Sequence, residues 1–575
     1  MRVLNTNELI ELYSKSGLIN NVQKHRSPPS NYTETSGVLL EGSITVFGKK
    51  YSISILVSDN FPIEKPKYQI DPLSISFIPH IGVEGDVCYT KDEGVFWDYT
   101  NPDGIIFESL LGVINTLKDG FSKENKLDLI SEFESYWLTN KSAKKAYRAF
   151  LHVELKDKVC TINSYEFGEF ILIGEQKQNL IDYYGFSLIH SKKLTKSSKV
   201  LFIPLMDNTR LYPPKYTEFW DSSKVYQIIE KHVSSQNKLI IENILSHSKK
   251  RNIDIIIFRL QQPNGSFAVF GVKYVNIANR KFSPILHVKN KSKLIPIIVD
   301  RKSKDYIAER GGANMNLSNK KVAIIGCGSV GGYIASELLK SGIGNLTLVD
   351  DDRFKSENIY RHYLGKEYVG KYKTDALKIE LEKHIPYVKI YSHPKKVEDV
   401  LKTQSSFFNT FDLVIIATGN PTINLFLNEY FLSSHKGLPV IYTWLDPYGI
   451  GGHALLTNNA LSGCYSCLYE DMHNKASFAQ KGQSFSKSIS GCGSLYTPYG
   501  SIDSVETAIK VVRLSLSVLL GKEKANPIIS WKGNPDTFLN EEFKLSDRFG
   551  QTIEDIYTNR NSYINENCKI CSKNH

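Results

Sequence analysis

The sequence predicts a multidomain α/β protein, and three observations lead there. At 575 residues the chain exceeds what one hydrophobic core organises. Its first part reads as strands followed by helices, whereas from Lys320 onward strands and helices alternate. A glycine-rich turn, G-C-G-S-V-G-G, stands where the first of those later strands meets its helix. Hydrophobic residues make up 41% and charged residues 23%, which excludes a disordered chain. Lysine plus arginine is 71 against 60 acids, a net +11 that is mild for this length. That balance tolerates an acidic or phosphorylated partner and does not require nucleic acid, so no direct nucleic-acid binding is expected. No apolar run approaches the roughly eighteen residues of a membrane span. The start, MRVLNTNELIELYSKSG, has no apolar core of signal-peptide length. A cytoplasmic protein that stays off the membrane is expected.

Residues 1–155 form the first predicted domain, of α+β type. An amphipathic helical pattern opens it, and SGVLLEGSITVFG and KYSISILVSD read as strands. Prolines 62, 66 and 72 keep FPIEKPKYQIDP out of a regular helix. IIFESLLGVINTLKDGF has helical spacing, and a further helix is predicted over 125–155. Residues 156–300 form a central mixed α/β connector. EFILIG, KVLFIPL, IDIIIFRL, SFAVFGVKYV and LIPIIVD read as its strands, and no catalytic constellation is visible among them. Residues 301–575 form the third domain. KVAIIG is a buried strand, SVGGYIASELLKSG a helix and NLTLVDDD a second strand closing in acids. With FDLVIIATG and the long helix DSVETAIKVVRLSLSVLLGK, this pattern predicts a doubly wound, Rossmann-like sheet.

Gly326, Gly328 and Gly331 form G-x-G-x-x-G between strand and helix. Glycine there lets the backbone approach a phosphate, and the helix start supplies N–H donors. Asp350 ends the next strand, where a carboxylate can bind ribose hydroxyls. Taken alone, this predicts a nucleotide, with a nicotinamide or flavin dehydrogenase as the default. The residues that follow depart from that default: Asp352, Asn358, Arg361, Gly370 and Lys373. Cleaving ATP between its α- and β-phosphates calls for cations that a dinucleotide site does not need. Arg361 and Lys373 stand in order for that work; the alternative is that both are solvated surface charges.

The eight cysteines stand at 88, 160, 327, 464, 467, 492, 568 and 571. A long chain without a signal peptide argues against a disulfide framework. Cys464-Tyr-Ser-Cys467 and Cys568-Lys-Ile-Cys571 can together fill a closed structural zinc site. Disulfides within each pair are the alternative, and they would constrain little. Cys492 lies in a Ser- and Gly-rich segment ahead of a helix at Ser501 to Asp503, where a thiol pKa can fall. It is either a nucleophile or a loop thiol of no consequence. Cys327 is expected to pack against the sheet and Cys160 to be a buried hydrophobe.

The third domain resembles the adenylation domain of ThiF-type and ubiquitin-activating enzymes, whose pattern runs G-x-G-x-x-G, D-x-D, N-x-x-R, G-x-x-K. The resemblance implies ATP-dependent adenylation of a protein's free C-terminus. Asp350 would bind ribose, Asp352 and Asn358 would line the nucleotide site, and Arg361 and Lys373 would contact phosphates. It also implies the four-cysteine zinc site and a thioester on Cys492, with Pro498 and Gly500 matching and Asp503 replacing a glycine. Where the family has an acid for magnesium, this chain has Gly419, so Asp352 or Asp446 would have to stand in. Homodimerisation is implied as well, with Arg310 the candidate for an arginine lent across the interface.

The first domain resembles the ubiquitin-conjugating fold. Phe61-Pro62 to Pro66 matches its Y-P-x-x-P-P segment and Gly85-Asp86-Val87-Cys88 its G-x-[IV]-C, with Trp97 following. The resemblance implies a second thioester cysteine, Cys88. The usual His-Pro-Asn is reduced to Pro79-His80, so His80 is either a substitute oxyanion donor or a structural histidine. In this order the two domains resemble the conjugating–activating fusion of bacterial anti-phage CBASS operons. That family implies a substrate that is the C-terminus of a cGAS/DncV-like nucleotidyltransferase, passed from Cys492 to Cys88 and on to a target amine. A sulfur-carrier adenylyltransferase and a nucleotide-binding scaffold with an inactive conjugating-like domain remain as rivals.

Overall fold

A computed structural model describes residues 4–25, 37–90, 94–139, 146–184, 195–216, 218–246, 253–277, 283–286, 292–435, 437–458, 460–470, 473–488 and 495–572. The chain forms two compact units, Met1–Ser303 and Lys304–His575.

The first unit begins with helix α1 (Thr6–Lys15), whose Asn5 cap accepts the Asn7 and Glu8 N–H groups. An antiparallel meander follows: β1 (Ile19–Lys24), β2 (Gly37–Val46), β3 (Lys49–Ser58) and β4 (Lys67–Ile70). The β2–β3 hairpin turns on Phe47-Gly48, both at positive φ, the two-residue geometry that matches strand twist. Helix α2 (Pro102–Ser122) starts at the Asn101 cap with proline in its first turn. Its Ile106, Leu110, Val113 and Leu117 are buried against the meander's Leu40, Ile44 and Ile55.

The sequence predicts a helix over 125–155; the structure has instead two short ones, α3 (Asp128–Ser131) and α4 (Phe133–Thr139), then a strand, β5 (Tyr147–Leu151). The strand forms because both of its edges are taken, by residues 170–173 and 297–301. Alternate burial along YRAFL fits that double pairing. β5 opens a closed barrel with β6 (Cys160–Phe167), β7 (Phe170–Gly174), β8 (Thr195–Pro204), β9 (Ile255–Gln261), β10 (Phe267–Val275) and β11 (Lys293–Arg301). Helices Ser222–His232 and Ser235–Ser246 cover it. The predicted central α/β connector is thus a barrel, and it recruits α4. Phe133 and Trp137 pack among Phe258, Phe270 and Trp220, and the Trp137 indole N–H donates to the Ile297 carbonyl at 3.0 Å.

In the second unit, β12 (Lys321–Ile325), α5 (Ser329–Lys340), β13 (Asn345–Val349), α6 (Lys373–His384), β14 (Lys389–His393), β15 (Leu413–Ile416), α7 (Pro421–Ser434) and β16 (Val440–Leu445) alternate as predicted. Antiparallel β17 (Gly451–Thr457), helix α8 (Ser501–Leu519) and β18 (Ile528–Lys532) complete it. The sheet runs β14-β13-β12-β15-β16-β17-β18, with the first five strands parallel. Strand order reverses between β12 and β15, so their carboxyl ends open a crevice where ligands of such sheets sit. Among the described residues no helix is long and apolar enough to cross a membrane.

Candidate functional site

The chain must turn from the end of β12 straight into α5. Gly331 permits the close packing this needs: a Cβ there would stand 2.0 Å from the Gly326 carbonyl oxygen. Asp350, just past β13, grips the loop. Its Oδ2 accepts the Cys327 N–H at 2.6 Å and its Oδ1 the Asp352 N–H at 2.7 Å. Burial pushes the Asp350 pKa up against the pull of those bonds. Asp352 goes the other way. Burial alone would raise it, but the Lys373 ammonium, 2.5 Å from Oδ2, holds it below the usual carboxylate range. Lys373 heads α6 and is itself buried. Asp350, Asp352 and Lys373, singled out in sequence, are therefore one bonded group.

Arg361 lies 4.8 Å over the ring of Tyr499. Both border a cavity of about 630 Å³ together with Gly328, Gly419, Asn424 and Asp446. Asn358 is a turn residue: its Oδ1 accepts the Lys355 N–H, and its carbonyl accepts the N–H groups of Arg361 and His362. It orients Arg361 through the backbone. Of the two acids expected to stand in at Gly419, Asp352 is paired with Lys373, whereas Asp446 borders the cavity. Asp446 is held by the Ser477 hydroxyl at 3.0 Å, the Phe478 N–H at 2.6 Å and His453 Nε2 at 3.0 Å.

The sequence reading passes over His362, which is 5% exposed behind the glycine loop. Its Nε2 is 2.8 Å from the Cys327 carbonyl oxygen, and its Nδ1 accepts the Leu364 N–H at 3.1 Å. Burial lowers its pKa to about 4. Its place directly after Arg361 is the only sequence signal. Cys327 is fully buried, as expected, and burial pushes its thiol pKa well up. Cys160, expected to be buried, is only half-buried, because it opens strand β6 at the margin of the barrel core. Arg310 is exposed and donates to the Tyr306 hydroxyl at 3.1 Å.

The two C-x-x-C pairs meet. Sγ of Cys464 is 3.8 Å from Cys467 and 3.7 Å from Cys568, and Cys467 is 3.5 Å from Cys571. Four thiolates about 2.3 Å from a tetrahedral zinc would stand about 3.8 Å apart, so the donor set fits that ion. All four are buried free thiols, which excludes disulfides within the pairs. The Cys464 hydrogen bond lowers the Cys467 pKa and raises that of Cys464. Sulfurs this close share one negative charge readily and hold four only around a cation. The cluster is tied to the cavity wall, since Asn424 Nδ2 donates to the Tyr465 hydroxyl at 3.2 Å.

Cys492 lies outside the described residues. Thr497 and Tyr499, which follow it, border the cavity. Asp503 accepts the Gly500 N–H at 2.6 Å and so caps α8.

In the first unit, Cys88 is exposed. Gly85 makes its approach possible: it sits at φ +89°, and a Cβ would stand 1.8 Å from the Ile70 carbonyl oxygen. The Cys88 N–H donates to the His80 carbonyl at 2.8 Å. The thiol opens on a cleft of about 610 Å³ shared with Glu132, Tyr136 and the Ser266–Ala268 segment at the start of β10. The His80 side chain is committed elsewhere. Nε2 is 3.0 Å from Asp128 Oδ2 and Nδ1 is 3.7 Å from Glu132 Oε2, while the His80 backbone N–H donates to the Tyr136 hydroxyl at 2.7 Å. These bonds tie the Cys88 loop to α3 and α4. Trp97 is half-buried against the meander core.

Residues 304–513 match the ThiF family and residues 30–149 match the Prokaryotic E2 family B. The chain is similar to the ATP-dependent ubiquitin transferase-like protein Cap2 of Pseudomonas aeruginosa, 24% identical over 477 residues, 79% of this chain and 82% of that protein. It is also 24% identical over 536 residues to the Escherichia coli protein of that name, covering 85% and 87%. Among solved structures, E. coli MccB with ATP aligns over 40% of this chain and 64% of that one, at 20% identity and a TM-score of 0.30.

Proposed function

We propose that this chain, which joins an E2-like domain to a ThiF-type domain, is an ATP-dependent ubiquitin-transferase-like enzyme that attaches a partner protein's C-terminus to an amine. ATP binds over the Gly326–Gly331 loop with its ribose at Asp350. A carboxylate oxygen of the partner attacks the α-phosphorus, the bond to pyrophosphate breaks, and Arg361 and Lys373 meet the phosphate charge. Magnesium arriving with ATP would meet Asp446. The Cys492 thiolate then attacks the acyl carbon and AMP leaves. Thioester exchange moves the acyl group to Cys88, where an amine attacks, the C–N bond forms and the thiolate departs. Two thiols on one chain raise the effective concentration of the exchange. By resemblance the partner is a cGAS/DncV-like nucleotidyltransferase and the enzyme a homodimer, with Arg310 reaching across. Zinc at Cys464, Cys467, Cys568 and Cys571 acts only as a cross-link.

The observation that carries this reading is the exposed Cys88 thiol at a cleft of about 610 Å³, in a chain that also pairs Asp352 with Lys373 beside the glycine loop. A sulfur-carrier adenylyltransferase has no use for such a thiol. The test is to incubate the chain with ATP and a candidate nucleotidyltransferase. Cys88→Ala should keep ATP–pyrophosphate exchange and lose isopeptide products; conjugation by that variant would refute the relay. The tie of the His80 ring to Asp128 favours one second reading, a conjugating-like domain that only docks a partner. That reading predicts no isopeptide from the unmodified chain either.

A further inference from the structure

The glycine loop is gripped from both sides of one residue. The Cys327 N–H goes to Asp350 at 2.6 Å, and its carbonyl oxygen meets His362 Nε2 at 2.8 Å. Hydrogen-bond chemistry alone decides the tautomer. The Leu364 N–H beside Nδ1 can only donate, so Nδ1 bears a lone pair. The Cys327 carbonyl can only accept, so Nε2 bears the proton. The ring is neutral, and its burial keeps it so.

The consequence appears on the other edge of the same peptide. The Cys327–Gly328 bond is planar and trans, so its C=O and its N–H point in opposite directions. With the carbonyl drawn back toward His362, the Gly328 N–H is aimed the other way. Gly328 caps α5 and forms part of the cavity wall. A flipped peptide would present a carbonyl oxygen to a phosphate and turn attraction into repulsion.

We propose that His362 is a positioning residue for the nucleotide: by holding the Cys327 carbonyl it aims the Gly328 N–H at a phosphate oxygen of ATP. The proposal rests on the adenylation reading. It also gives one short segment two tasks, since Arg361 faces the cavity while its neighbour clamps the loop from behind. The rival role for His362 is filling space, because its ring packs edge-on against Phe354 at 5.1 Å.

Two variants separate the roles. His362→Gln places an amide N–H where Nε2 was, whereas His362→Asn reaches only as far as Nδ1. The full chain is titrated with MgATP by calorimetry, and its melting temperature is taken without nucleotide. The asparagine variant should bind ATP on the order of tenfold more weakly, the loss of one well-aimed hydrogen bond to a charged group. The glutamine variant should stay within about threefold of the unmodified chain. Equal losses in both variants, or undiminished binding by the asparagine variant, would overturn the proposal. Should the asparagine variant not fold, the glutamine variant decides alone: affinity near that of the unmodified chain supports the role, and a loss of about tenfold overturns it. An unmodified chain that does not bind ATP would overturn the adenylation reading itself, and this role with it.

Discussion

Replacing Cys568 by serine should release the end of the chain from the sheet it is pinned to. The Cys464–Cys568 and Cys467–Cys571 contacts each close a span of 104 residues. Treated as a cross-link, a closure of that length removes about 4.7 kcal/mol of unfolded-state entropy. Three remaining thiolates hold zinc far more weakly, so most of that contribution goes with the ion. The unit affected is Lys304–His575. At about 2.1 cal/mol/K of unfolding entropy per residue, its transition should fall by about 8 °C. Differential scanning calorimetry of the full chain, paired with metal analysis by mass spectrometry, makes the test. The unmodified protein should carry about one zinc per chain, the capacity of a single four-thiolate site. Cys568→Ser should carry almost none, and chelation of the unmodified protein should reproduce the shift. Metal-free native protein, or a shift below about 2 °C in the variant, would refute the cross-link, since a shift that small leaves most of the closure entropy unaccounted for.

Two further outcomes follow from the same unit. Gly331→Ala puts a Cβ 2.0 Å from the Gly326 carbonyl oxygen. Overpacking at a strand–helix turn should cost about 1–3 kcal/mol in denaturant unfolding and abolish ATP binding in calorimetry. His362 predicts a pH dependence. Its pKa is about 4 folded against 6.5 unfolded, so the unfolded chain binds more protons between those values. Stability from this group is complete above about pH 6.5 and is lost as pH falls toward 4, by about 3 kcal/mol in full. Asp350, raised by burial, acts in the opposite sense at the acid end. The difference between the unmodified chain and His362→Gln, unfolded in urea at about pH 5 and about pH 7.5, isolates the histidine. Equal loss of stability in both proteins on acidification would exclude it as the source.

What the sequence reveals and what it hides divide along one physical line. The alternating half is legible because its signals are local. Gly326 to Gly331 lie in one turn, and Asp352 and Lys373, which close to 2.5 Å, keep a fixed order on either side of Arg361. The cysteine pairs are legible because thiolates have few other reasons to stand in such spacing, and their sulfurs do meet at 3.5 to 3.8 Å. The barrel is not legible. It closes by parallel pairing of Tyr147–Leu151 with residues 297–301, and nothing near YRAFL records a partner so far along the chain. Without that partner, a helical spacing of apolar residues from 125 onward is the natural reading, and Phe133 and Trp137 satisfy it. Spacing of this kind identifies a buried face but not the core that buries it. For α4 that core is the barrel around Phe258 and Phe270, not the meander before it.

Both histidines are held by partners that carry no sequence signature. His80 sits eight positions before Cys88, where either a catalytic or a structural role is open. Its ring meets Asp128 and Glu132, on a helical turn that spacing does not connect to the cysteine loop. His362 is more concealed still, since what it holds is a backbone carbonyl, a group that every residue owns. Only the acceptor's position distinguishes that carbonyl from hundreds of others. It belongs to the peptide that leads into Gly328 on the cavity wall, and for that peptide orientation decides between donor and acceptor at a phosphate. A sequence pattern built on glycines marks where the backbone can come close, but which way the peptide faces is decided by side chains behind it. That is why the Gln and Asn variants at 362, nearly alike in composition, should differ in the affinity for ATP.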